Sequence, residues 1–225
     1  MRRSCRDYTQ VFYGTLTVAA EIKMPCKKWQ PGVKGHVEEP PEEYVTPGGY
    51  ELEKILNRGC VVYTRVNQVW DNVYIGDEET ARDKLKLKEL GITHILNAAE
   101  GTWNCVDTGA GYYSDLDVVY YGLVAEDTTT FDLSQYFYTA AEFIHKTLSE
   151  PQNKLLVHCV MGRSRSASLF LAFLMIRRRM TLVDAIEAVK SRRRIIPNWG
   201  FLKQLRELDM KLQEEGSAGA EHCED

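Results

Sequence analysis

Within VHCVMGRSRSA, Val157 to Ala167, one cysteine, one glycine and two arginines fall inside the seven residues from Cys159 to Arg165. An apolar run precedes them (Leu155, Leu156, Val157) and a longer one follows (Ala167 to Ile176), a pattern that predicts a short strand, a tight turn and a buried helix. A turn from strand into helix aims backbone N–H groups and the positive helix end at one spot, which makes an anion site before any side chain is counted. The same field favours a thiolate, so Cys159 is a candidate nucleophile. Arg165 lies six residues further on, far enough for the loop to curl and bring its planar guanidinium over a bound group, where it suits two phosphate oxygens. Gly162 permits the tight backbone, and the Ser166 hydroxyl could hydrogen-bond the sulfur and stabilise it as a leaving group. The competing reading is bland: a cysteine at a strand end is commonly a small buried hydrophobe, and Cys-x5-Arg alone decides nothing.

The chain of 225 residues has room for one domain with a real core plus tails. Its hydrophobic fraction of 44% and charged fraction of 27% are globular, and a net charge of −4 argues against general attraction to nucleic acid. Basic clusters at Arg177 to Arg179 and Arg192 to Arg194 read first as solvated helix ends. Acid gathers near Glu38 to Glu43 and in the tail from Glu214 to Asp225. The six cysteines (Cys5, Cys26, Cys60, Cys105, Cys159 and Cys223) form no CxxC pair and no zinc-ligand spacing. A disulfide framework or metal site is therefore not expected, and a reducing compartment, cytoplasmic or nuclear, fits best. Val11 to Ala20 follows two arginines like a signal peptide but is interrupted by Tyr13, Gly14, Thr15 and Thr17. Ser168 to Ile176 is about half the roughly 20 residues of a membrane span, so it is expected in the core, with no membrane partner.

Several elements must position the loop. Residues 1 to about 46, with Lys-Lys, Pro-Gly and the acidic EEPPEE, are expected to be a mostly disordered arm ended by TPGG. ELEKILN has helical spacing; VWDNVYIG predicts two short strands around a turn; ETARDKLKLKELG predicts one amphipathic helix closed by Gly91. ITHILNAA and VVYYGLVA predict strands separated by a loop from Glu100 to Ser114. FDLSQYFYTAAEFIHKTLSE predicts a helix, with Asp132 and Gln135 spaced like a capping box. KLLVHC is the next strand; helices follow from about Ser164, from Thr181 to about Arg193, and from about Asn198 to Leu212, the last announced by Pro197. The alternation predicts an α/β fold with a central, mostly parallel twisted sheet of about five strands flanked by helices. Ligands bind such sheets beyond the carboxyl ends of the strands, where His158 and Cys159 fall.

HCVMGRSRS resembles the HCxxGxxR[ST] loop of the protein tyrosine phosphatase superfamily. AEDTTTFDLSQYF is similar to the general-acid loop of the small dual-specificity phosphatases, LGITHILNAAEG to their central strand, and IPNWGFLKQLRELD to their final helix. With YVTPGGYELEKIL and the Asp107-Thr108-Gly109 loop included, the resemblance covers about residues 46 to 214. It points to the atypical dual-specificity phosphatases that lack a separate kinase-docking domain. It thus implies an arm over 1–46, a phosphatase domain over 47–214 and an acidic flexible tail over 215–225. Further, the resemblance implies the cysteine-dependent phosphatase fold, with neither metal nor cofactor. Cys159 would attack phosphorus to form a cysteinyl-phosphate, while the Arg165 side chain and the loop N–H groups from Val160 through Met161, Gly162, Arg163 and Ser164 to Arg165 hold the equatorial oxygens. Asp127, 32 positions before Cys159, matches the family's acid, which protonates the leaving oxygen and then activates water. Read without the family, Asp127 is a turn aspartate.

Four assignments stay open at this point. His158 orients the loop and favours the thiolate, as the resemblance implies, or is a satisfied structural histidine. Asn198 braces the loop or merely caps the last helix. Arg193 matches a position that helps form a second anion pocket in related enzymes, or is a solvated arginine. The side chains of Met161, Arg163 and Ser164 occupy variable positions and are expected to tune the rim. Three rival functions also stand: a phosphate-recognising scaffold with little turnover, a phosphatase for lipid, glycan or RNA phosphates, and a thiol redox protein with Cys105 as a distant partner. With Cys159, Arg165 and Asp127 all present, the reading favoured is a protein phosphatase acting on phosphotyrosine and phosphoserine or phosphothreonine. Phosphoproteins are the expected partners, with mitogen-activated protein kinases a family-level candidate and homodimerisation left open.

Overall fold

The strand LLVH is buried from end to end, and it becomes the middle of the sheet. The computed structural model describes residues 44–59, 61–103 and 105–220; the arm up to residue 43 and the tail from 221 lie outside them. The first elements are α1 (Gly49–Asn57), β1 (Val66–Trp70), β2 (Val73–Gly76), α2 (Glu78–Arg82), α3 (Lys84–Leu90) and β3 (His94–Asn97). There follow α4 (Gly109–Tyr112), β4 (Val119–Gly122), a 3-10 turn (Ser134–Tyr136) and α5 (Phe137–Leu148). The chain continues with β5 (Leu155–His158), α6 (Arg165–Arg178), α7 (Leu182–Lys190) and α8 (Trp199–Ala220).

The sheet order is β1-β2-β5-β3-β4, parallel except for the antiparallel β1–β2 hairpin at one edge. This is the expected α/β architecture. Successive strand residues point to opposite faces. Leu155 and Val157 accordingly join the large core, with Val73, Ile75 and Leu96, while Leu156 joins a smaller cluster with Ile95, Ala81 and Leu87 under α2 and α3. Helix α6 is buried from Arg165 through Met175, apolar on nearly all sides after its first turn. Each of its large apolar side chains contributes on the order of 1.5–3 kcal/mol, enough to hold the start of this helix against the sheet. No described helix is long and apolar enough to cross a membrane.

Register places the site. Gly76, His158 and Asn97 are cross-strand partners, and Asn97 pairs with Gly122 on its other side. Strands β2, β5, β3 and β4 therefore end level, and their carboxyl-end connections share one edge. Cys159 begins one of these connections, and Asp127 lies five residues past the end of another.

Several expectations are corrected. The single helix over ETARDKLKLKELG breaks at Asp83, whose backbone leaves the helical region (φ −84°, ψ 87°) and whose carboxylate accepts from Lys86 N at 2.9 Å, capping α3. Asp132 and Gln135 do not form a reciprocal capping box. Asp132 Oδ1 accepts from Ser134 N at 3.0 Å, and Gln135 Nε2 donates to the Asp132 carbonyl at 2.6 Å, closing a local turn. The loop expected over Glu100 to Ser114 contains α4. The last helix runs past Leu212 to Ala220, so the first part of the expected flexible tail is helical. Residues 44–46, placed by sequence at the end of a loose arm, are docked together with Pro47: Tyr44 Oη and Thr46 Oγ1 donate to the buried Asp209 carboxylate at 2.7 and 2.6 Å, and Arg206 Nε donates to the Pro47 carbonyl at 2.7 Å.

Candidate active site

The loop between β5 and α6 has its carbonyls tied down one after another. Val160 O accepts from Glu78 N at 3.0 Å, Met161 O from Arg193 Nη2 at 3.3 Å and Gly162 O from Arg193 Nε at 2.7 Å. Arg163 O accepts from Ile196 N at 2.8 Å, and Ser164 O from Ser168 N and Oγ, each at 2.8 Å. In a planar trans peptide the C=O of one residue and the N–H of the next point opposite ways. Fixing five carbonyls outward therefore turns the N–H groups of residues 161–165 inward. One of these already finds the sulfur: Gly162 N–H donates to Cys159 Sγ at 3.2 Å. Gly162 sits at φ +62°, and a Cβ there would stand 2.3 Å from the Gly76 carbonyl oxygen, so neither the turn nor the close approach tolerates a side chain.

Cys159 is 1% exposed, and Ser166 Oγ lies 3.3 Å from its sulfur. Arg165 is equally buried; Nη1 donates to the Ala125 carbonyl at 3.0 Å and lies 3.9 Å from Cys105 Sγ, while Nε faces Asp127 Oδ2 at 3.5 Å. Asp127 is drawn to the loop by two further donors, Ser164 Oγ at 2.7 Å and Asn198 Nδ2 at 2.9 Å, both to Oδ1. Asn198 does both things the sequence left open. Its Nδ2 braces the acid loop at Asp127 and at the Thr128 carbonyl, and its Oδ1 caps α8 by accepting from Phe201 N at 3.0 Å.

Arg193 leaves the role carried over for it, and His158 does not act as a cation. Arg193 is 0% exposed and lies behind the loop, so it lines no second anion pocket and is not solvated. Besides the two loop carbonyls, its Nη1 donates to Thr64 O at 3.0 Å and Asn67 Oδ1 at 2.7 Å. His158 is fully buried with no hydrogen bond to either ring nitrogen, and burial pushes it down to about 4, against a weaker opposing effect of the Cys159 backbone. It is therefore neutral near pH 7 and cannot favour the thiolate as a cation. At the rim, Met161 is 52% exposed, and the Arg163 guanidinium stacks 4.2 Å above the Tyr63 ring, whose hydroxyl donates to Asp77 at 3.3 Å.

Sequence reasoning missed how the acid loop is held. Gln204 Oε1 accepts from Leu133 N and Ser134 N at 2.8 and 2.9 Å, and its Nε2 donates to the Phe131 carbonyl at 2.8 Å. Gly200 lies where a Cβ would meet the Thr129 carbonyl oxygen at 2.0 Å. A glycine in the first turn of a helix was the available signal, because helices disfavour it unless something must come close. Among the described residues no group of three or more His, Cys, Asp or Glu could hold a metal ion.

A buried thiol that accepts a loop N–H, a loop whose further N–H groups turn inward, and a buried guanidinium 3.5 Å from a carboxylate on an adjoining loop suit transfer of a phosphoryl group. Comparison with known proteins agrees. The family model for the dual specificity phosphatase catalytic domain matches residues 73–211. The structure is similar to that of the human tyrosine phosphatase-like serine/threonine/tyrosine-interacting protein, with 28% identity and a TM-score of 0.57, covering 67% of this chain and 99% of that one. It is also similar to the Yvh1 phosphatase domain of Chaetomium thermophilum, with 27% identity and a TM-score of 0.55 over 65% of this chain and 96% of that one. Human DUSP28, at 24% identity, shares the fold with a TM-score of 0.58 over 69% of this chain and 99% of that one.

Proposed function

The chain belongs to the dual-specificity phosphatase family, and from that premise we propose that it hydrolyses phosphotyrosine and phosphoserine or phosphothreonine in proteins. Cys159 attacks phosphorus, Arg165 and the inward N–H groups hold the equatorial oxygens, and a cysteinyl-phosphate forms as the leaving oxygen departs. Asp127 gives that oxygen its proton. In the second step the Asp127 carboxylate takes a proton from water as the water attacks phosphorus, and the Ser166 hydroxyl stabilises the departing sulfur. Arg165 spans the two steps, because the guanidinium that holds the phosphate also faces the Asp127 carboxylate at 3.5 Å.

The observation that carries this reading is the tied-down loop, with five carbonyls fixed outward and Gly162 N–H on the sulfur at 3.2 Å. Fixed dipoles of this kind need no reorganisation when charge arrives, which is the most effective form of electrostatic catalysis. The proposed breadth of substrate goes with an expected shallow pocket, since the sequence holds no segment resembling the deep phosphotyrosine-recognition loop of tyrosine-only enzymes. Phosphoproteins, with mitogen-activated protein kinases among the candidates, are the proposed substrates.

The test compares the purified protein with Cys159→Ser and Asp127→Asn forms on an aryl phosphate in the presence of a chelator, then on phosphotyrosine peptide, phosphothreonine peptide and a phosphoinositide. Activity is expected on both peptides, lost in Cys159→Ser and reduced by about 10²-fold or more in Asp127→Asn. Turnover surviving Cys159→Ser, or a parent protein active on the phosphoinositide alone, would overturn the reading.

A further inference from the structure

Arg193 carries a full charge in the interior and meets only neutral acceptors. Its hydrogen-bond partners are the carbonyl oxygens of Met161, Gly162 and Thr64 and the side-chain oxygen of Asn67, the neutral Tyr63 ring lies 5.4 Å from its guanidinium carbon, and among the described residues no carboxylate lies within ion-pair distance of it. Taking a cation out of water without a counter-ion carries a large desolvation cost, so a guanidinium is an unfavourable way to brace a turn. Burial lowers its proton affinity, while Tyr63, Asp77 and Cys159 act the other way. The anion it lacks is the one the loop is built to receive.

We propose that Arg193 is a positioning residue for the phosphatase reaction: it fixes the Met161 and Gly162 peptide planes so that the next two N–H groups face the phosphate, and its buried charge favours the anions on the far side of the loop. The geometry contains its own check. The Met161 carbonyl bound by Arg193 and the Gly162 N–H bound to Cys159 Sγ belong to one peptide unit, so the guanidinium and the sulfur grip opposite ends of the same dipole. Gly162 O, held by Nε at 2.7 Å, likewise fixes the direction of the Arg163 N–H. Nη1 anchors the clamp to the start of the sheet at Thr64 and Asn67, which keeps the loop from turning its carbonyls back toward an anion.

This inference rests on Cys159 as the nucleophile, yet its test does not need turnover. The full-length protein is compared with Arg193→Met and Arg193→Lys by alkylation of Cys159 with iodoacetamide across pH and by binding of vanadate. The other charged groups facing the loop, Arg165 and Asp127, Arg163 on Tyr63 and Asp77 below it, are unchanged in these variants; His158 is neutral. In Arg193→Met, alkylation is expected to slow about threefold or more at mildly acidic pH and to be unchanged at alkaline pH, where the thiol is ionised anyway. Vanadate should bind about tenfold or more weakly. Arg193→Lys should restore the alkylation profile, because the charge remains, but not vanadate binding, because one ammonium cannot span both carbonyls. A folded Arg193→Met protein with the parent's alkylation profile and vanadate affinity would reduce Arg193 to a structural clamp. Should that variant not fold, parent-like vanadate binding by Arg193→Lys would overturn the proposal. A parent that binds vanadate but never turns over refutes the proposed function instead.

Discussion

Gly200→Ala separates the placing of the proposed general acid, Asp127, from the stability of the fold. Gly200 stands in the first turn of α8, where alanine is the better helix former by up to about 1 kcal/mol, so local propensity does not weaken the protein. The added Cβ, however, would lie 2.0 Å from the Thr129 carbonyl oxygen, 2.7 Å from its carbon and 2.8 Å from its Cα. All three are backbone atoms with no rotamer in which to retreat. To reach ordinary van der Waals separation the loop must back away by about 1 Å or more. Asp127, two residues upstream, is tethered to the same helix start through Asn198, so the shift acts on the proposed acid's carboxylate and its 3.5 Å contact with Arg165. Misplacement by about 1 Å can cost about 10²-fold in rate, which lies within the 10²–10⁴-fold a general acid supplies. The assay is steady-state hydrolysis of a phosphothreonine peptide beside an aryl phosphate with a good leaving group, with a thermal melt as control. The peptide rate should fall by about 10²-fold and the aryl phosphate rate by much less, since only a poor leaving group needs the proton. An unchanged melt with peptide hydrolysis within about twofold of the parent would refute the assignment of Gly200 as the residue that lets the acid loop close.

Two predictions concern stability. Asp209→Ala removes the acceptor shared by Tyr44 Oη, Thr46 Oγ1 and Leu182 N. A loss of about 2–3 kcal/mol is expected, seen as a lower melting temperature, with faster hydrogen exchange over residues 44–57 than in β5; exchange that does not single out that segment would refute Asp209 as the anchor of the docked segment. His158, pushed by burial from 6.5 to about 4, stays neutral in the folded protein while the unfolded chain takes up a proton between those values. The stability it contributes is complete above about pH 6.5 and is lost as pH falls toward 4, roughly 3 kcal/mol in all. Denaturant melts between about pH 7 and 4.5 should show this slope, and His158→Asn should flatten it; equal slopes in the two proteins would refute a neutral buried imidazole.

The sequence alone determined the α/β class, the order of strands and helices around the loop, and the residue types at its core. Those signals are local: the apolar run at Leu155–Val157, the buried run after Arg165 and the glycine at Gly162 each record the environment of their own segment. The chain could also name Asp127, although only through resemblance, because no periodicity joins a residue on one loop to a cysteine on another. Tertiary structure decided the rest. ETARDKLKLKELG reads as one amphipathic stripe, and the break at Asp83 follows from the side chain capping a second helix in preference to continuing the first. Arg193, in a run of three arginines, reads as surface because charge is normally solvated. It is buried because β1, the segment before it and the phosphate loop together offer four oxygens that fit one guanidinium, an arrangement that exists only once the sheet has closed. Gln204 was silent for the same reason, and Gly200 signalled a close approach without saying to what. A glutamine that bonds three backbone groups of a distant loop leaves its mark on where two segments meet and not on the pattern of either.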